Sequence, residues 1–354
     1  MPIKISEPSV DEQKPVLLDV RDLTVEFATP NGSVTAVRDV SFQMSPGEIL
    51  GLVGESGSGK SVTGMAMMGL LPESSSRVSG SAVLDGTDLL SAGPKALTTL
   101  RGEKIAMIFQ DPLTALDPVY TIEQQLIETL KAHRKISKGE ARKRAISLLD
   151  DVGIPMAASR IKDYPHQLSG GMRQRVMIAI SLACNPQLLI ADEPTTALDV
   201  TIQAQILDLI RDLSTEHQTA VLFISHDLAV ISELCSRVMT MYAGEVIEAG
   251  EVDPLLEVPL HPYTSGLLAS IPRAGGDRGR LHSVPGRVPA LDAMPAGCRF
   301  GPRCSHVIDQ CISAHPGLRQ VGSRFVRCAR AEELQLSGVV DVAPTSTPIE
   351  GRAT

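Results

Sequence analysis

Eight residues constrain this chain more than any others: "GESGSGKS", Gly54 to Ser61. They fit G-x-x-x-x-G-K-[ST] and stand between "EILGLVG", which reads as a buried strand, and "GKSVTGMAMMGLL", which reads as a helix ended by Pro72 and the "ESSSR" loop. That strand-to-helix setting is what the motif requires of a phosphate site. Gly57 and Gly59 let the backbone turn its N–H groups toward phosphate oxygens with no Cβ in the way, and the helix N-terminus adds partial positive charge. Gly54 and Ser56 complete the expected phosphate cradle. Lys60 is then expected to reach the β- and γ-phosphates while the Ser61 hydroxyl ligates Mg²⁺. The competing reading, an accidental Gly-rich turn, leaves the flanking strand and helix as coincidence.

A second stretch, "LLIADE", Leu188 to Glu193, is an apolar strand ending in two carboxylates. Alternation along a strand predicts that Asp192 and Glu193 point to opposite sides and take different roles. Asp192 is expected to hold the Mg²⁺ shell through water, and Glu193 to polarise an attacking water as general base. In isolation such a pair is only a solvated strand end. Following a phosphate loop within one α/β core, it gains a purpose.

The remaining pattern supports that core. Residues 16–53 read as strands, with "TPNGS" as a turn, and strands return at "QLLIAD", "AVLFIS" and "RVMTMYAGEVIEAG" around the helix "IQAQILDLIRDLSTEH". Between about residues 100 and 182 the periodicity is helical, as in "TIEQQLIETLKAH". The expectation is an α/β fold, a mostly parallel sheet with an antiparallel β subdomain and a helical insertion. Beyond Gly250 the composition shifts to Pro, Gly and Arg. This divides the chain into a polar leader (1–15), a core domain (16–250), a cysteine-rich extension (251–335) and a disordered tail (336–354).

Composition removes several classes of function. Charged residues make up 21% and no window approaches the roughly 18 uninterrupted apolar residues of a membrane helix, so the chain is not expected to span a bilayer itself. The start "MPIKISEPSVDEQKP" has no apolar h-region and does not read as a signal peptide. A net charge of -8, no Trp and 3% aromatic residues argue against nucleic acid as a partner, which calls for a basic face or stacking platforms.

"LSGGMRQR", Leu168 to Arg175, carries a resemblance. It resembles the signature of ATP-binding subunits of ABC transporters, and the likeness extends over roughly the first 250 residues, implying a P-loop NTPase core. Gln110 in "IFQDPLTALDP" matches that family's Q-loop, Ala197, Leu198 and Asp199 its D-loop, and His226 in "FISHD" its switch histidine. Taken singly, these could be a helix cap, a surface amide and a satisfied core histidine; their order and spacing together fit the family. The resemblance implies catalytic roles for Gln110, Glu193 and His226, Gln110 also serving Mg²⁺ beside Ser61 and Asp192. It further implies that Ser169, Gly170 and Gly171, at a helix N-terminus, face the γ-phosphate of ATP bound to a partner subunit. Asp199 would join that interface, and Phe27 is the expected adenine-stacking aromatic.

The later "HPYTSGLLASIP", His261 to Pro272, narrows the resemblance to importers of dipeptides, oligopeptides or nickel, and Met172 resembles the first of the two ATPase types that pair there. The implied partners are a second, homologous ATPase subunit, two transmembrane permease subunits and, indirectly, an extracytoplasmic substrate-binding protein, with the chain peripheral on the cytoplasmic face of the membrane. Three cysteines in "CRFGPRCSHVIDQC" and a fourth in "FVRCAR" match those of that subfamily's extension. Cys298, Cys304, Cys311 and Cys328 are thus expected to hold a [4Fe–4S] cluster, with Zn²⁺ as the alternative. Their gaps exceed those of zinc knuckles but match no ferredoxin run, so plain structural thiols stay open. Cys184 and Cys235, in apolar helical contexts, are expected to be packing residues. The rivals to a transport ATPase are an ATPase acting on nucleic acid or ribosomes, which would need a second cassette or a coiled coil, and a non-hydrolysing regulatory cassette, which intact Lys60, Glu193 and His226 oppose.

Overall fold

The computed structural model describes residues 15–30, 32–111, 115–196, 198–271 and 284–338. The expected leader except residue 15, the expected tail beyond residue 338, and Ala197 therefore lie outside the described residues.

The strands are β1 (Leu18–Thr29), β2 (Gly32–Met44), β3 (Ile49–Val53), β4 (Ser76–Leu84), β5 (Thr87–Asp88), β6 (Ile105–Ile108), β7 (Leu188–Asp192), β8 (Ala220–Ser225), β9 (Arg237–Tyr242), β10 (Glu245–Glu251), β11 (Arg319–Val321) and β12 (Arg324–Val326). They form two sheets. The smaller is antiparallel in the order β2-β1-β4-β5, and the larger runs β11-β12-β10-β9-β3-β8-β7-β6. In the larger sheet β6, β7, β8, β3 and β9 are parallel neighbours, and every residue of β3, β7 and β8 is buried, as expected of strands covered on both faces. Successive residues divide between two cores. Leu188 and Ile190 face the antiparallel sheet and α1 (Lys60–Met67), while Leu189 and Ala191 face the helices on the other side.

The helices after α1 are α2 (Pro94–Leu100), α3 (Ile122–His133), α4 (Lys138–Asp151), α5 (Ala157–Arg160), α6 (Gly170–Leu182), α7 (Val200–His217), α8 (Leu228–Leu234), α9 (Val252–Glu257), α10 (Pro262–Ala269) and α11 (Asp309–Ser313). Capping boxes, Thr121 with Gln124 and Ser137 with Glu140, start α3 and α4 by satisfying otherwise orphaned N–H groups. The helical stretch expected from about residue 100 is interrupted by β6, whose four buried residues pair with β7; the insertion proper follows that strand. The extension does not stand apart. Its hairpin β11–β12 continues the large sheet by pairing Val326 and Phe325 with Glu248 and Ala249. Among the described residues, no helix is long and apolar enough to cross a membrane.

Candidate nucleotide site and thiol cavity

The phosphate loop follows β3 and leads into α1. Gly54 is required by close approach, since a Cβ there would lie 2.2 Å from the Met241 carbonyl oxygen. Gly57 has open space around it but a φ of 79°, which a side chain disfavours. Lys60, 5% exposed, curls back so that Nζ donates to the carbonyls of Gly54 (2.7 Å) and Glu55 (3.0 Å). Burial lowers its pKa, against the opposing pull of Glu193, Asp192 and Glu55.

Asp192, at the end of β7, is 4% exposed. Burial pushes its carboxyl pKa up, a hydrogen bond with Ser61 and the charge of Lys60 oppose this, and Oδ1 is buried without a partner. A desolvated carboxylate with an orphaned oxygen beside a serine hydroxyl fits a divalent cation with oxygen ligands. Glu193 does not follow the strand's alternation. It leaves β7 in the left-handed region (φ 48°), with its N–H bonded to the Ile224 carbonyl (2.9 Å), so a backbone kink and not the pleat sets its direction. Its carboxylate gathers three partners: Gln110 Nε2 at 3.0 Å, Thr196 Oγ1 at 3.1 Å and His226 Nδ1 at 3.2 Å. Residues far apart in sequence thus converge at the C-terminal ends of β3, β6, β7 and β8. Thr196 went unnoticed in the sequence because a lone hydroxyl near a turn carries no signal.

Ser169, Gly170, Gly171 and Asp199 form a second group. The Ser169 hydroxyl caps α6 by accepting from the Met172 N–H (3.3 Å), and Asp199 caps α7 through the Ile202 N–H (3.0 Å). Gly171 lies against Leu198. Buried Gln174 ties the groups together by donating to the Pro194 carbonyl, one residue past Glu193. Phe27 is half-buried on β1 and packs against the apolar core beneath the antiparallel sheet.

In the extension, Cys298, Cys304, Cys311 and Cys328 line one cavity together with Phe300 and Leu334. All four are free thiols. Backbone N–H groups point at two sulfurs, His306 to Cys304 and Arg330 to Cys328, each at 3.4 Å. Burial raises the pKa of Cys298 and Cys304 and takes Cys328 to about 11, the neighbouring thiols adding to the effect. Among the described residues, no three His, Cys, Asp or Glu side chains are placed to hold a single metal ion. Cys184 and Cys235 are buried in the main core, as expected, and burial pushes Cys235 to about 12.

Charges fasten the extension to the sheet. Glu245 on β10, 1% exposed, meets Arg299 (3.4 Å), His315 (3.0 Å) and Arg327 (3.9 Å). Burial alone would raise its pKa; His315, Arg327 and Arg299 hold it below the usual value. Glu248 accepts from the N–H groups of Leu260 (2.7 Å) and His261 (3.0 Å). His261 in turn caps α10, Nδ1 accepting from the Tyr263 N–H at 3.0 Å, and burial lowers its pKa to about 3.

The ABC transporter family matches residues 37–196, and the family described as oligopeptide/dipeptide transporter, C-terminal region, matches residues 247–311. The chain is 49% identical over 316 residues to the oligopeptide transport ATP-binding protein OppD of Salmonella typhimurium, covering 89% of this chain and 94% of that one. It is 50% identical over 319 residues to AppD of Bacillus subtilis, also named an oligopeptide transport ATP-binding protein, covering 90% and 97%. Among solved structures it resembles the ATP-binding cassette MJ0796 in a dimeric post-hydrolysis state bound to ADP and Pi, with a TM-score of 0.61 and 28% identity over 66% of this chain and 98% of that chain.

Proposed function

Because the chain belongs to the ABC transporter family of oligopeptide and dipeptide transport ATP-binding proteins, we propose that it hydrolyses ATP to power peptide import through a membrane permease. The observation that carries this reading is the meeting of Gln110, Thr196 and His226 on the Glu193 carboxylate, beside Lys60 and the orphaned oxygen of Asp192. In this reading the loop N–H groups and Lys60 bind the β- and γ-phosphates. Ser61, Asp192 and Gln110 hold Mg²⁺, which neutralises phosphate charge when bound. Glu193 takes the proton of the attacking water, oriented by its bonds to Gln110 and His226. The left-handed backbone at Glu193 aims the carboxylate independently of the buried strand behind it.

Two ATP molecules then lie between the phosphate loop of one subunit and Ser169, Gly170 and Gly171 of another, a homologous second ATPase. Asp199 sits at that seam, and Phe27 supplies the adenine contact. Closing and opening of the pair drives two permease subunits at the cytoplasmic face of the membrane, fed by an extracytoplasmic binding protein. The extension, residues 251–335, carries a [4Fe–4S] cluster of structural purpose. Four thiols around one cavity, with N–H groups directed at two of the sulfurs, support this reading, with Zn²⁺ as the alternative occupant. The test is affinity purification from membranes, with identification of bound subunits and assay of ATP hydrolysis with added peptides. Two permease subunits and peptide-stimulated hydrolysis are expected. Recovery without membrane subunits, or stimulation by nickel in place of peptide, overturns the peptide reading.

A further inference from the structure

The extension reaches the phosphate loop itself. Glu55, its second residue, receives three contacts from the far end of the chain. Its N–H donates to the Tyr263 hydroxyl at 2.8 Å, and its carboxylate accepts two parallel bonds from Arg303, at 2.9 Å and 3.1 Å. Arg303 is not a loose surface partner. Its side chain is 5% exposed, donates also to the carbonyls of Pro285 (2.7 Å) and Val284 (3.1 Å), and lies 5.6 Å over the Tyr242 ring. Tyr263 is wedged between Tyr242 and Phe300, with ring centroids 4.8 Å and 5.4 Å away.

Glu55 also faces inward, where its carbonyl accepts from Lys60 Nζ. One residue therefore holds the phosphate-binding lysine on one side and the extension on the other. The loop is anchored again at Ser58, whose carbonyl accepts from the Gly244 N–H (2.8 Å), next to Ala243, whose carbonyl accepts from Arg299 of the extension. A glycine-rich loop has many conformations of its own, and a ligand must order them unless they are ordered beforehand.

We propose that Tyr263 and Arg303 are positioning residues for nucleotide binding, preorganising the phosphate loop through Glu55 so that the C-terminal extension sets the affinity for MgATP. The proposal rests on reading residues 54–61 as the phosphate site. It assigns Glu55 a task that its place in the motif, a freely variable position, does not suggest.

The test uses the full chain and a fluorescent ATP analogue with Mg²⁺. Tyr263→Phe, which removes one oxygen and keeps the ring, should weaken binding by about fivefold, the worth of one neutral hydrogen bond, and Arg303→Gln, which loses charge-assisted bonds, by about tenfold or more. Glu55→Gln combined with Arg303→Gln should cost no more than the larger single change, because both break one contact. In the transporter complex the KM for ATP should rise while kcat holds; a merely structural loss would lower kcat with the amount of folded protein. Unchanged affinity and KM in Tyr263→Phe and Glu55→Gln overturn the proposal, and these two decide the matter should Arg303→Gln fail to fold. Lys60→Ala separates the two readings: ATP binding retained there rejects the phosphate site itself, whereas ATP binding lost there but unchanged in Tyr263→Phe and Glu55→Gln rejects only the positioning role.

Discussion

The nucleotide site and the thiol cavity are linked by the Glu55–Arg303 ion pair, Arg303 preceding Cys304 in the chain, yet the two regions are held together by different means. Around the nucleotide site, β3, β7 and β8 are buried along their whole length, and apolar side chains such as Leu52, Ile190 and Phe223 support the loop and the carboxylates from both faces. Around the thiols, residues 284–338 contribute a five-residue helix and two three-residue strands, with one small aromatic core at Tyr242, Tyr263 and Phe300. Charge does much of the fastening there: Arg299, His315 and Arg327 converge on Glu245, and Arg324 on Glu248. A site that must survive cycles of ligand entry is built on hydrophobic burial. A segment with little apolar surface depends on buried ion pairs, which are costly to break singly.

The largest effect tests the cassette side of the contrast. Glu193→Gln should lower steady-state ATP hydrolysis by at least about 10²-fold while ATP binding persists, because the base is lost and Lys60 and the loop are untouched. Near-normal turnover in the transporter complex would remove Glu193 from its role. Next, Glu245→Leu leaves four cationic or titratable side chains, Arg38, Arg299, His315 and Arg327, facing an apolar group, at a cost of about 3–5 kcal/mol. Hydrogen exchange should then quicken throughout residues 284–338 while β3, β7 and β8 keep their protection. Equal loosening of both regions would erase the distinction between them.

Cys304→Ser sharpens the same contrast through the thiols. Anaerobically purified protein is expected to be brown, with about four iron atoms per chain, and the variant to lose both iron and protection in the extension. Stoichiometric zinc, or no metal with four alkylatable thiols, would refute the cluster. The most gradual effect, small near neutral pH, is a pH dependence. His261 is buried neutral with a pKa of about 3 against an ordinary 6.5, so below pH 6.5 the unfolded chain binds a proton that the folded one refuses. Stability should be complete above pH 6.5 and fall by up to about 1.4 kcal/mol per pH unit on acidification from 6.5 toward 3. His261→Asn, which can keep the helix cap, should flatten that slope in urea melts of the extension; an unchanged slope would place the acid sensitivity elsewhere.

Short contiguous motifs made much of the site legible. Lys60, Ser61, Asp192 and Glu193 lie in two runs whose chemistry is local, and Gln110 and His226 stand out by their place relative to those runs. Thr196, Gln174 and Glu55 did not, because their roles come from contacts with Glu193, Pro194 and Arg303 that no spacing announces. Strand β4, "SRVSGSAVL", hides in a serine- and glycine-rich stretch of low β-propensity; β1 and β5 on either side make it a strand. The hairpin β11–β12 was illegible for a different reason, three residues per strand being too few for an alternation to register.

That hairpin also bears on how the chain is made. Strand β10 emerges from the ribosome with one edge unpaired, and the segment that covers it begins only at Arg319. Until then, residues 245–251 present open N–H and C=O groups to any neighbouring strand, an invitation to edge-to-edge association. A chain interrupted between Glu251 and Arg319 would keep its complete phosphate loop and both carboxylates, and would still expose a self-adhesive seam.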